Sequence, residues 1–345
     1  MIKLYVAIDN AVAMLIQRTN GWEVDLKLTG TNPMCLAVDP LHSEQVYCGT
    51  FDAGVWRSSD GGSSWEHVGE SIPPEKVMSL AVSPLEQRGG YSVVYAGTEP
   101  SSIFRSEDRG DTWSDLATLR QLPSAPTWSF PPRPYTSHIR WITPDPVHAG
   151  RIFAAAEAGA LVRSLDGGET WEDRKPDGPF DTHTLVIPRL APNRLYSAAG
   201  DGFMRPGNGF VQSDDGGDTW YRPNEGFEYN YLWSVAADPI DPDTIVVSAA
   251  PGPQQAHNPM SAESAIYRRS NGSHWQRIQH GLPEPRGLLA SVLTAHEAEP
   301  HVFYAGNNKG IYRSVDAGLT WEELSIPWPT GTRIGRVNAL VAVME

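Results

Sequence analysis

The sequence predicts an all-β fold: a seven-bladed β-propeller of four-stranded antiparallel blades. Three observations predict it. An eight-residue phrase ending in Trp recurs along the chain. Short strands separated by Gly turns surround each copy. The segments left over at the two ends add up to one further blade.

The phrase reads Ser58-Ser-Asp-Gly-Gly-Ser-Ser-Trp65, Ser106-Glu-Asp-Arg-Gly-Asp-Thr-Trp113, Ser164-Leu-Asp-Gly-Gly-Glu-Thr-Trp171, Ser213-Asp-Asp-Gly-Gly-Asp-Thr-Trp220 and Ser314-Val-Asp-Ala-Gly-Leu-Thr-Trp321. Shortened versions are Ser270-Asn-Gly-Ser-His-Trp275 and Thr19-Asn-Gly-Trp22. Before each full phrase the chain repeats a set of strands. An apolar strand ends in Asp/Ser-Pro, as in Cys35-Leu-Ala-Val-Asp-Pro40 and Ser79-Leu-Ala-Val-Ser-Pro84. An aromatic–small strand follows: Val46-Tyr-Cys-Gly49, Val94-Tyr-Ala-Gly97, Phe303-Tyr-Ala-Gly306. A third strand places an apolar residue before Arg-Ser: Val55-Trp-Arg-Ser58, Ile103-Phe-Arg-Ser106, Ile311-Tyr-Arg-Ser314. The phrase turns the chain, and its Trp opens a fourth strand.

Six units fill residues 31–324. Strands expected near 2–8, 12–19 and 22–28 combine with a C-terminal strand at Arg336–Val343 into a seventh blade, shared between 1–30 and 331–345. Residues 1–345 are thus expected to form a single propeller domain, and pairing the ends removes two exposed sheet edges.

The phrase resembles the Asp-box, or bacterial neuraminidase repeat, S-x-D-x-G-x-T-W. The chain is similar to the superfamily of Asp-box propellers that includes sialidases, xyloglucanases, sortilin-like receptors and photosystem assembly factors. The resemblance covers essentially the whole chain. It implies the fold, while one scaffold hosts many activities. The Arg-Ile-Pro element of sialidases does not occur here. In the turn, Asp60, Asp108, Asp166, Asp215 and Asp316 are expected to accept backbone N–H bonds. Trp65, Trp113, Trp171, Trp220, Trp275 and Trp321 are expected to pack as aromatic plugs. Five equivalent aspartates on five blades cannot converge on one catalytic or metal centre.

Lys and Arg number 27 against 41 Asp and Glu, a net charge of −14. No basic run of five exists, so neither nucleic acid nor an anionic membrane is an expected partner. A monomer is expected. Cys35 and Cys48 fall on neighbouring strands, where a bridge is conceivable and two buried thiols are the expected state. No stretch of about 18 apolar residues exists. The N-terminus, interrupted by Asp9 and Asn10, reads as a strand and not as a signal peptide, so a cytoplasmic location is expected.

Function concentrates in long loops. Three segments run over length: 116–137, 200–209 and 250–264. Strand order assigns each to a fourth-to-first or second-to-third connection. Aligning the first strands gives two levels at the channel mouth. One holds Met34, Met78, Arg140, His183, Trp233, Ser291 and Asn338. The other holds Asn32, Lys76, His138, Asp181, Tyr231, Leu289 and Arg336. His138, Arg140, His183, Tyr231, Trp233 and Arg336 are the expected ligand-facing residues, with Trp128 on the same face. Arg and His suit an anionic or hydroxylated ligand, and the flat rings suit sugars. The expected function is a non-catalytic propeller that binds a carbohydrate, an anionic small molecule or a protein partner. The alternative is a glycosidase, which needs two carboxylates about 5–9 Å apart. Glu157, Asp181, Asp201 and Glu228 are its candidates. No His spacing suggests a metal site, and no cofactor is expected.

Overall fold

The computed structural model describes every residue except Pro74 and Glu345. Glu345, the last residue of the expected seventh blade, therefore lies outside the described residues. Among the described residues the chain forms seven antiparallel sheets, the seven blades of a β-propeller. No described helix is long and apolar enough to cross a membrane.

The chain divides into two compact units. The first holds residues 10–12 and 26–182 and contains blades one to three. Blade one is Pro33–Val38, Val46–Thr50, Val55–Ser58 and Glu66–His67. Blade two is Lys76–Arg88, Tyr91–Glu99, Ile103–Ser106 and Ser114–Asp115. Blade three is Ile139–Pro144, Ile152–Ala156 and Ala160–Ser164. Its expected fourth strand is reduced to one bridge, Arg163 to Glu172.

The second unit holds residues 1–9, 13–25 and the chain from His183 onward, with most of blades four to seven; Thr182 of blade four and residues 11–12 and 26–27 of blade seven fall in the first. Blade four is Thr182–Val186, Leu195–Ala199 and Phe210–Ser213, again with a single bridge, Gln212 to Tyr221. Blade five is Tyr231–Ala237, Ile245–Ala250, Ala265–Arg269 and Gln276–Ile278. Blade six is Val292–Thr294, Phe303–Gly306, Ile311–Ser314 and Glu322–Glu323. In blade seven Val337–Met344 pairs with Ile2–Ile8, followed outward by Ala11–Arg18 and Gly21–Lys27. The expected pairing of the two ends is present, one residue off at several strand boundaries.

The small residue near the end of the second strands has a packing cause. A Cβ on Gly49 would lie 2.7 Å from Val77 Cγ1, and one on Gly97 2.7 Å from Ile139 Cγ2. On Gly306 it would meet Val337 Cγ1 at 3.1 Å. In each case the neighbour belongs to the first strand of the next blade. Glycine there lets successive blades close together. Cys35 and Cys48 are buried free thiols, and burial pushes Cys35 up to about 12.

The recurring turns share one bond pattern. At Asp215, Ser213 Oγ donates to Oδ1 at 2.8 Å, the Thr219 N–H donates to Oδ1 at 2.9 Å, and Thr219 Oγ donates to Oδ2 at 2.6 Å. The Gly217 N–H donates to Ser213 Oγ at 2.9 Å. The same set recurs around Asp60, Asp108, Asp166 and Asp316. These donors hold the carboxylates ionised. Bonds from Ser64 lower Asp60 to about 2. At Asp215 burial opposes the shift, but bonds from Thr219 and Ser213 outweigh it and bring the group to about 2. The folded value lies below the ordinary unfolded value of about 3.9, so the stabilisation is present above that pH and is lost as pH falls towards 2. Asp215→Ala is expected to cost about 1–2 kcal/mol at neutral pH, allowing for exposure. In urea unfolding the deficit should shrink between about pH 4 and pH 2, as the wild-type carboxylate is itself protonated.

Trp113 and Trp275 reach the preceding blade. The Trp113 indole N–H is shared by Gly110 O at 2.9 Å and Val68 O at 3.0 Å. Trp275 donates its indole N–H to Pro223 O at 2.8 Å, and its backbone N–H goes to Glu225 O at 2.9 Å. Trp113, Trp220, Trp275 and Trp321 are buried, whereas Trp65 and Trp171 are half-buried. At Trp113 and Trp275 the plug is therefore a tie between blades as well as packing within one.

Candidate functional site

The first strands share a feature that the sequence does not reveal. In blade one Pro33 pairs with Thr50 and Cys35 with Gly49, leaving Met34 as an extra residue. The same one-residue bulge leaves out Met78, Arg140, Trp233 and Asn338. Five of the seven positions aligned at one level are thus bulge residues. A bulge bends the strand and re-aims its side chain, as happens beside binding sites.

In the first unit the predicted residues His138, Arg140 and Glu157 belong to a charged network, with Asp181 beside it. The buried His138 ring contacts Glu157 Oε2 through Nε2 at 2.8 Å, and its Nδ1 stands 3.6 Å from Glu99 Oε2. Phe130 meets the same ring edge-on at 4.7 Å. Arg140 Nε lies 3.8 Å from Glu157 Oε2. Glu99 is buried, which by itself disfavours its charge. Bonds from Arg133 and Lys76 outweigh burial and hold its carboxyl below the usual range. Asp181 Oδ1 accepts the Ala158 N–H at 2.7 Å, fastening a turn in which Ala158 has φ +51°. The carboxylate oxygens of Glu157 and Asp181 lie within 4.8 Å of each other. Glu99 and Arg133 were not foreseen as site residues. Glu99 follows Gly97 by two residues, as Glu157 follows Ala155, and this shared blade position was a legible signal.

Trp128 corrects one expectation. It is buried in the core of blades two and three, and its indole N–H donates to Ser124 Oγ at 3.0 Å. The 116–137 segment folds down over that core with two short 3-10 turns, Ala117–Gln121 and Ala125–Thr127. It offers no Trp face to a ligand.

In the second unit His183, Tyr231 and Trp233 come together with His257, a residue of the 250–264 segment. His183 Nδ1 lies 2.6 Å from Leu232 O, and a carbonyl can only accept, so Nδ1 carries a hydrogen. The Tyr231 hydroxyl bridges His183 Nε2 at 3.3 Å and His257 Nε2 at 3.1 Å. Having one hydrogen, it donates to one ring and accepts from the other. Trp233 packs between the imidazoles, with centroids 4.7 Å from His183 and 4.2 Å from His257. His183 and Tyr231 are buried, and Trp233 is half-buried. Arg336 donates to His257 O at 2.8 Å, tying this segment to the residue before the last strand.

The other two insertions carry short helices, Asp201–Met204 and Pro253–His257. They touch: a Cβ on Gly252 would lie 2.9 Å from the Phe203 ring. Phe203, Met204 and Met260 on them are 51%, 79% and 96% exposed. Asp201 opens the first helix. Glu228 is exposed and pairs with Arg277 at 3.1 Å.

Comparison with known proteins agrees with this architecture. No family model matches the chain. A xyloglucanase, Xgh74A of Acetivibrio thermocellus, is 30% identical over 208 residues, covering 50% of this chain and 24% of the relative. A crystal structure of the GH74 enzyme of Niastella koreensis superposes with a TM-score of 0.68 at 17% identity, over 93% of this chain and 52% of that one. YCF48 bound to the D1 peptide superposes at 0.56 with 17% identity, over 85% and 82% of the two chains. The chain thus spans about a quarter of the curated relative and half of the GH74 enzyme, and its likeness to the solved structures is one of fold.

Proposed function

We propose that the protein is a non-catalytic binding propeller of the Asp-box superfamily, whose ligand meets the insertion-bearing end of blades four and five. One observation carries this reading: the bulge at Trp233 presents a half-exposed indole between two imidazoles, beside two insertions with exposed apolar tips. Tyr231 and Arg336 lock that arrangement in advance, which lowers the ordering cost of binding. Flat rings beside hydrogen-bonding edges favour a carbohydrate. The similarity of half the chain to a xyloglucanase makes xyloglucan the first probe.

A second reading, a carbohydrate-active hydrolase, is favoured by the proximity of Glu157 and Asp181. One oxygen of each lies within 4.8 Å of the other, and a glycosidase needs two neighbouring carboxylates. It ranks second because Asp181 holds a turn and Glu157 is engaged by His138.

Affinity electrophoresis in xyloglucan, with reducing-end release measured on the same samples, separates the readings. Binding without release is expected, with Trp233→Ala weakening retention about tenfold or more. Retention unchanged in a folded Trp233→Ala protein rejects this group as the site. Release that disappears in Glu157→Gln establishes the hydrolase instead.

A further inference from the structure

Residues 324–335, after blade six, take no part in the group described around Trp233, and they carry Trp328, which stands outside every repeat position and lines a cavity. We infer that this segment builds a separate binding site for a neutral saccharide. A cavity of about 490 Å³ opens beside it, lined by Ile326, Trp328 and Ile334 together with Lys309, Glu323 and Ser325. All of these residues belong to the second unit.

Trp328 is half-buried and sits between Pro327 and Pro329. Each proline fixes its own φ and restricts the residue before it, so Ile326 and Trp328 have few alternatives. The Trp328 N–H donates to Ile326 O at 2.9 Å, tightening the strap further. The backbone that carries the indole is thereby restricted before any ligand arrives.

The polar groups select the ligand class. Among the described residues neither the Lys309 ammonium nor the Glu323 carboxylate has an ion-pair partner, although both line the same cavity. Their charges cancel, so a strongly charged ligand gains from one and is repelled by the other. A hydroxyl serves both, accepting from the ammonium and donating to the carboxylate. A pyranose combines such hydroxyls with an apolar C–H face that stacks on an indole. An amino-acid zwitterion would also match the two charges but is far too small for a cavity of this size. The net charge of −14 weighs against nucleotides.

The test is a tryptophan-fluorescence titration of the full chain with cellotetraose and mannotetraose, using leucine as the small zwitterion. A saturable change is expected with at least one tetrasaccharide. Trp328→Ala should weaken it about tenfold or more, and Glu323→Gln by about three- to tenfold, each with an unchanged melt. Trp233→Phe should remove at most the part of the change that belongs to the group proposed above and leave the part that is lost in Trp328→Ala, which separates the two sites. Absence of saturation by either sugar up to about 10 mM, a range that covers weak binding, overturns the inference. So do full affinity in both Trp328→Ala and Glu323→Gln, loss in Trp233→Phe alone, and saturation by leucine alone.

Discussion

A chain ending at Ala339 is expected to fail to fold cooperatively. The residues removed are few, but they form most of the innermost strand of blade seven. Leu340, Val341, Ala342, Val343 and Met344 pair in register with Val6, Tyr5, Leu4, Lys3 and Ile2. Leu340, Ala342 and Val343 are buried, and so are Leu4, Tyr5 and Val6 opposite them. Losing the ladder costs about 1 kcal/mol for each bond. Uncovering the large side chains costs about 1.5–3 kcal/mol each. The sum reaches the whole stability of an ordinary domain, about 5–15 kcal/mol. Truncation also leaves Ile2–Ile8 as a long apolar edge, which favours aggregation. The expected result is an insoluble chain, or one without a cooperative thermal transition. Adding a peptide of residues 336–344 during refolding should restore the transition. A truncated chain that melts within a few degrees of the full one would show that blade seven holds without this strand.

The ends meet because the repeat leaves them no other partner, and for that reason this part of the fold was legible in the sequence. The phrase around Asp60, Asp108, Asp166, Asp215 and Asp316 counts blades, and the small residues at Gly49, Gly97 and Gly306 mark where one blade approaches the next. What was hidden depends on contacts between segments distant in sequence. The bulges at Met34, Met78, Arg140, Trp233 and Asn338 have no common chemistry, so no residue pattern announces them. The fourth strand shrinks in blade four, where Pro223 follows the bridging Tyr221 by two residues and removes a donor. In blade three the residue after Glu172, Asp173, is instead drawn to the N–H and hydroxyl of Ser124. His257 lies in an insertion outside the aligned repeat positions, so alignment could not place it beside Tyr231. Trp128 misled because an exposed ligand platform and a buried anchor look alike in a Pro-rich segment.

Gly281→Ala is expected to destabilise the protein by about 3–5 kcal/mol, the range reached when a substitution forces backbone apart. Gly281 has φ +77°, and its added Cβ would stand 1.6 Å from Trp321 O and 2.6 Å from Trp321 C. Those are backbone atoms, so no rotamer change relieves the clash. The chain must separate at the point where the Trp321 N–H donates to His280 O at 3.1 Å. That displacement would drag Trp321 out of the core it shares with Phe303 and Tyr312. Gly272→Ala supplies the control. Gly272 has φ +68°, nearly the same backbone conformation, but nothing lies within 4 Å of its added Cβ. It should cost only the left-handed penalty of about 1–2 kcal/mol. Urea unfolding of both variants, at equal slope, measures the difference. Because φ strain is common to the two, that difference isolates the contact between the fourth-strand loop of blade five and the Trp of blade six. Gly226, at φ +104° with Trp275 O 2.2 Å from its added Cβ, repeats the device one blade earlier. Gly226→Ala should therefore resemble Gly281→Ala and not Gly272→Ala. Equal costs at Gly281 and Gly272 would mean that the phrase tryptophans pack within blades without tying one blade to the next.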